Sequence, residues 1–128
     1  MRVTWTRPAV ADVLQIRDYI ATDSPRYARI VAERLFASVE RLTQYPLSGR
    51  VVPELNDPSL REVVDAPYRI VYRVGVEALE ILTVVHAARR FPADVLRSQP
   101  EGEIVVPAAE RALHQTGDFR KLASLAFY

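Results

Sequence analysis

Apolar and polar residues alternate from Arg2 to Thr6, with Val3 and Trp5 on one side and Arg2, Thr4 and Thr6 on the other. That two-residue period predicts a half-buried strand. Pro8 is tolerated only in the first turn of a helix. Beyond it Val10, Val13, Leu14, Ile16 and Ile20 recur at three- and four-residue steps, which predicts a helix ending near Thr22. Ser24 followed by Pro25 has the form of an N-cap and a proline at the first helical position, so a second helix starts there and is expected to run to about Tyr45. Its buried stripe is Ile30 or Val31, Leu35, Val39 and Leu42, with Arg29, Glu33, Glu40 and Arg41 largely opposite. A connection of a few residues makes the pair an antiparallel hairpin.

Pro46, Ser48, Gly49, Pro53, Asn56, Asp57 and Pro58 crowd one stretch, so residues 46–59 are expected to be a loop or loose extended segment. Past it the period changes to that of strands. Leu60 to Val64, Tyr68 to Val74 and Leu79 to Val85 are rich in Val, Ile and Tyr and are separated by short breaks, as in an antiparallel meander. In the middle strand Ile70, Tyr72 and Val74 take one face, and Arg69, Val71 and Arg73 the other. The fold expected is therefore α+β, two antiparallel helices on one face of an antiparallel sheet of about four strands. Residues 1–98 form the domain and residues 99–128 a C-terminal extension. In that extension Ile104 to Val106 reads as a strand, Ala108 to Gln115 as a helix closed by Gly117, and Asp118 as the cap of a last turn. Its apolar residues, among them Leu113, Phe119, Leu122, Leu125, Phe127 and Tyr128, favour docking on the core or on a partner chain, which makes a homodimer an expectation too.

Composition narrows the chemistry. The 128 residues contain no Cys and two His, His86 and His114. Thiolate metal sites, disulfides and cysteine nucleophiles are excluded, no metal site is expected, and no cofactor is expected. Seventeen Lys plus Arg against sixteen Asp plus Glu leave a net charge of +1, which argues against broad coating of nucleic acid. All the cations but Lys121 are Arg, the side chain suited to carboxylate and phosphate. The start of the chain lacks a long apolar stretch and no window approaches a membrane span, so a soluble cytoplasmic protein is expected.

The order strand, helix, helix, three strands carries further residues in a recognisable arrangement. Ser59-Leu60-Arg61-Glu62-Val63-Val64, Tyr68-Arg69-Ile70-Val71-Tyr72-Arg73-Val74 and Val84-Val85-His86-Ala87-Ala88-Arg89-Arg90-Phe91-Pro92 together resemble the ParE branch of the ParE/RelE toxins. Tyr19-Ile20, Ser24-Pro25 and Pro46-Leu47-Ser48-Gly49-Arg50 add to the likeness, which covers about Arg2 to Arg97. The resemblance implies the toxin half of a type II toxin-antitoxin pair, silenced by a cognate antitoxin. ParE-like members poison DNA gyrase. RelE-like members share the fold and cut mRNA on the ribosome. A third reading is an inactive relative that serves only as an interaction module.

These readings ask different things of the residues. Cleavage at an RNA phosphate needs a base, an acid and cations for the phosphoryl oxygens. The candidates are His86 as acid or base, Arg61, Arg69 and Arg89 as phosphate clamps, and Glu54 as a second acid or base. Against this, Arg69 and Arg73 have a plain alternative as sheet-surface residues bridged to Glu62 or Glu80, and Tyr68 and Tyr72 as packing rather than base-stacking residues. Between Pro46 and Val74 four Arg meet four acids, so the region is locally neutral and holds no Lys. A nuclease working in a field of phosphate needs more positive charge than that. The gyrase-type reading is therefore preferred, with exposed Arg89, Arg90 and Phe91 as the binding surface, since Arg and aromatic side chains dominate binding hot spots.

Overall fold

A computed structural model of the chain describes residues 1–93 and 96. The expected strand, helical extension and last turn of the tail all fall outside the described residues. Strand β1 (Arg2–Trp5) leads into helix α1 (Arg7–Ala21), then α2 (Pro25–Arg41), followed by β2 (Arg50–Val51), β3 (Leu60–Asp65), β4 (Tyr68–Val74) and β5 (Ala78–His86). The Ser24 cap is the expected one, whereas Thr6, which the alternation placed in the first strand, also serves as a cap. The Thr6 hydroxyl accepts from the Ala9 amide at the start of α1, and the Ser24 hydroxyl accepts from the Tyr27 amide at 3.1 Å at the start of α2. Helix α2 stops at Arg41, short of the expected Tyr45, and the chain runs to Tyr45 through turns. Leu42 keeps helical angles and the Tyr45 amide still donates to the Arg41 carbonyl, so Pro46, which pushes the residue before it out of the helical region, ends these turns at Tyr45 rather than the helix itself.

The sheet has five strands in the order β1-β5-β4-β3-β2. Two features correct the expected antiparallel sheet of about four strands. First, β1 pairs parallel to β5, with Val3 opposite Leu79 and Trp5 opposite Ile81. Second, residues 46–59 are not all loop: Arg50 and Val51 pair antiparallel with Glu62 and Arg61. A two-residue strand is too short to show a period, and periodicity tells a residue's face, not its neighbour strand. The meander β3-β4-β5 is as expected, with one bulge: Val71 pairs with Thr83 and Tyr72 with Ile81, which leaves Leu82 as the extra residue.

The main core lies between sheet and helices. Val3 and Trp5 of β1, Val10, Val13 and Leu14 of α1, Val31, Leu35, Phe36 and Val39 of α2, and Ile70, Tyr72, Leu79, Ile81 and Val84 of the sheet form one buried cluster. Trp5 meets Phe36 with ring centroids 4.8 Å apart. A second cluster sits on the opposite face of the sheet, where Leu60, Val71 and Leu82 are covered by Val52, Leu55, Phe91 and Leu96. The bulge places Leu82 in this second layer while Ile81 and Val84 stay with the helices. Both faces of the sheet are thus occupied, one by helices and the other by the segments that follow β2 and β5.

Candidate functional site

The face away from the helices carries the charged chemistry. Glu62 of β3 and Arg69 of β4 point to this side, alongside Leu60 and Val71. The Glu62 side chain is fully buried and accepts from Arg50 Nε and Arg69 Nε, each at 2.6 Å. Arg69 turns its other edge to Glu54, with Nη1 and Nη2 donating to Oε2 and Oε1 at 2.7 and 2.8 Å. This is the fork geometry that makes Arg–carboxylate pairs strong. Those bonds hold Glu54 well below its ordinary range, to about 2, and push the Arg69 guanidinium upward. Glu54 is therefore ionised and engaged near neutral pH, which leaves it badly suited to accept or give a proton. The Arg69 Cζ lies over the Phe91 ring, 4.4 Å from its centre. Next along the strand, Arg73 pairs with Glu80 at 3.7 Å.

His86 closes β5 on the other face. It follows Val84 by two residues, on the helix side, and meets Tyr68 edge to face at 5.6 Å. Its Nδ1 accepts from the Ala88 amide at 3.0 Å, and its carbonyl accepts from the Arg89 amide. Together with Asp12, Ile16, Tyr19, Tyr68 and Arg89 it lines a cavity of about 420 Å³ between α1 and the end of β5. Asp12 bridges that strand end, accepting from the Thr83 hydroxyl at 2.5 Å and the Val84 amide at 3.1 Å. The bond to Val84 stands where a neighbouring strand would, since β1 stops opposite Ile81. Burial raises the Asp12 carboxyl above its usual value in spite of these two bonds.

Comparison with known proteins decides the family. The family described as the ParE toxin of type II toxin-antitoxin systems, parDE, matches residues 3–91. The chain belongs to the ParE toxin family. Toxin RelE2 of Caulobacter vibrioides is 43% identical over 89 residues, covering 69% of this chain and 97% of that protein. Y4kP of Sinorhizobium fredii is 40% identical over 93 residues, 71% of this chain and 93% of the relative. A chain of the chromosomal ParDE system from P. aeruginosa superposes with a TM-score of 0.58 at 27% identity, over 67% of this chain and 95% of that one. A ParE-family toxin is one half of a type II pair, so a cognate antitoxin is its partner. Among the described residues no helix is long and apolar enough to cross a membrane.

Within this ParE-family fold the five residues considered for phosphate chemistry are divided, with Glu54 bound to Arg69. Arg69 lies on the outer face, its edges taken by Glu54 and Glu62. His86 and Arg89 line the cavity beside α1. Arg61 shares the inward parity of Val63 and donates to the Gly49 carbonyl at 3.0 Å. Arg89 and Arg90 are exposed as expected, whereas Phe91 is half-buried under the Arg69 guanidinium rather than free on the surface. Tyr72 is fully buried, and its hydroxyl donates to the Pro46 carbonyl and accepts from the Gly49 amide. Gly49 is required there, because a Cβ would lie 2.5 Å from both the Glu62 carbonyl and the Tyr72 hydroxyl. Sequence reasoning missed Asp12. The signal available was its place beside the apolar Ala9, Val10 and Val13, on the flank of the buried stripe.

Proposed function

We propose that this ParE-family toxin acts by binding DNA gyrase, with the exposed Arg89 and Arg90 and the neighbouring Phe91 as the binding surface. In this reading it works in the cytoplasm, where its cognate antitoxin silences it. The observation that carries the reading is the state of Arg69. A phosphate clamp needs free guanidinium donors, and Arg69 spends them on Glu54 and Glu62, with Arg50 on the same Glu62. His86, the other candidate acid or base, sits on the helix side of the sheet, away from that arginine. A cleaving site needs proton-transfer groups and cations converging within hydrogen-bond reach of one phosphate. Arg89 and Arg90, by contrast, stand exposed beside the folded end of β5, as a protein-binding surface requires.

The test is DNA supercoiling by purified gyrase with and without the protein. The expected result is loss of supercoiling in proportion to toxin added, reversed by antitoxin. Unchanged supercoiling, together with codon-linked mRNA cuts on expression, would replace this reading with the ribosome-dependent endoribonuclease.

A further inference from the structure

We propose that Arg69 is a positioning residue for the Arg89–Phe91 surface, acting as a clasp between the two irregular segments that cover the outer face of the sheet. The inference rests on the gyrase-binding reading above for its functional consequence, and on geometry for the clasp itself. One segment, after β2, brings Val52, Glu54 and Leu55 over the sheet, and the other, after β5, brings Phe91 and Leu96. The first is tied to β3 at its start, where the Val52 amide donates to the Leu60 carbonyl at 3.1 Å, and beyond Val52 side chains join both segments to the sheet: Leu55, Phe91 and Leu96 through the apolar cluster and Glu54 through Arg69. Arg69 touches both. The outer edge of its guanidinium takes the Glu54 carboxylate in a two-bond fork, and its Cζ lies 4.4 Å over the centre of the Phe91 ring.

A guanidinium can do these two things at once because its donors lie in its plane and its π-face is left for stacking. Lysine can make one ion pair there and cannot stack flat on the ring. Neutralising Glu62 does not by itself require Arg69, since Arg50 Nε reaches the same carboxylate at 2.6 Å. The Arg69 side chain is 12% exposed, so it is too covered to be a main contact of a partner protein. Its neighbour in the sequence of contacts, Phe91, follows Arg89 and Arg90 directly, so fixing the ring fixes the path of the two exposed cations.

The test is Arg69→Lys in the full chain, read by amide hydrogen exchange and by gyrase supercoiling, with Arg73→Lys as the same change on the same face. The amides of Arg89 and Ala93, which donate to the carbonyls of His86 and Phe91, flank the clasped ring and report its order. Arg69→Lys is expected to speed their exchange about fivefold, the scale of losing one such stacking contact, while central β4 and β5 amides such as those of Tyr72 and Ile81 keep their protection. Phe91→Leu keeps apolar bulk over Leu60 and Val71 and is expected to give the same local loosening, with Phe91→Trp restoring it. The toxin concentration that halves supercoiling should rise by a similar factor in Arg69→Lys and stay put in Arg73→Lys. Unchanged exchange at Arg89 and Ala93 in Arg69→Lys, or acceleration spread evenly through β3, β4 and β5, would overturn the clasp. If wild-type protein leaves supercoiling untouched, the gyrase reading and the clasp's function fall together, and the exchange pattern alone still decides whether the clasp exists.

Discussion

Two carboxylates in this toxin respond to their surroundings in opposite directions, and pH separates them. Glu54 falls from an ordinary 4.5 to about 2 because Arg69 bonds its charged form. A carboxylate depressed on folding contributes stability above its unfolded value, and that contribution is lost as pH falls from about 4.5 toward about 2. Asp12 is raised above 3.8, chiefly by burial. The folded chain then takes up this proton at a higher pH than the unfolded chain. Acidification through that raised value therefore stabilises the fold, and the buried charge costs stability at higher pH. Urea unfolding across the acid range checks both. Glu54→Gln should flatten the loss of stability below about pH 4.5, by a modest amount because the pair is partly in water. Asp12→Asn should remove the opposing gain, so its stability should drop more steeply on acidification than that of the wild type. Neither response was legible from residue type: Glu54 sits between Pro53 and Leu55 like any loop acid, and Asp12 on a helix like any surface acid.

At the scale of elements, the two helix caps differ in what they hold. Ser24 caps α2 at an exposed loop, so Ser24→Ala should cost about 1 kcal/mol, the usual loss for such a cap. Thr6 is fully buried, and its hydroxyl both caps α1 and donates to the Ile81 carbonyl at 2.7 Å, tying the end of β1 and the start of α1 to β5. Thr6→Val keeps the shape and loses both bonds, so it should cost about 2 kcal/mol. Chemical denaturation of the two variants measures the difference, and equal losses would show that the second bond contributes nothing. Both helices and the three-strand meander were legible because their apolar positions keep a period over several turns or pleats. The Ser24-Pro25 start was legible because only a few residue types suit those two positions. What was not legible is long-range or short. Whether β1 lies parallel to β5 depends on where the helical hairpin returns the chain, and β2 has two residues, fixed by Glu62 opposite Arg50 rather than by any pattern of its own.

For the molecule as a whole, the sheet separates two chemistries that share a stretch of sequence. Arg69 and His86 were both legible as candidates, and the expected alternation in β4 put Arg69 on the face opposite Ile70 and Tyr72, away from the helices. Their separation was not legible, because the bulge at Leu82 shifts β5 by one residue and returns Val84, with His86 after it, to the helix side. A binding toxin and a cleaving toxin then predict opposite outcomes for the same two variants. Proton transfer by a positioned side chain contributes on the order of a hundredfold or more, so a nuclease would lose nearly all activity in His86→Ala and keep much of it without Arg90. A gyrase-binding toxin should behave in reverse. His86→Ala removes the Nδ1 acceptor for the Ala88 amide, an edge contact with Tyr68 and part of the cavity wall, and gyrase inhibition should stay within about threefold of wild type. Arg89→Ala with Arg90→Ala leaves the clasped Phe91 and both cores in place, and should weaken inhibition at least tenfold, as the loss of a central arginine does at many interfaces. Circular dichroism and thermal melts confirm that both variants fold. Supercoiling titrations then rank them, and equal inhibition by the double arginine variant and the wild type would remove this surface from the reading.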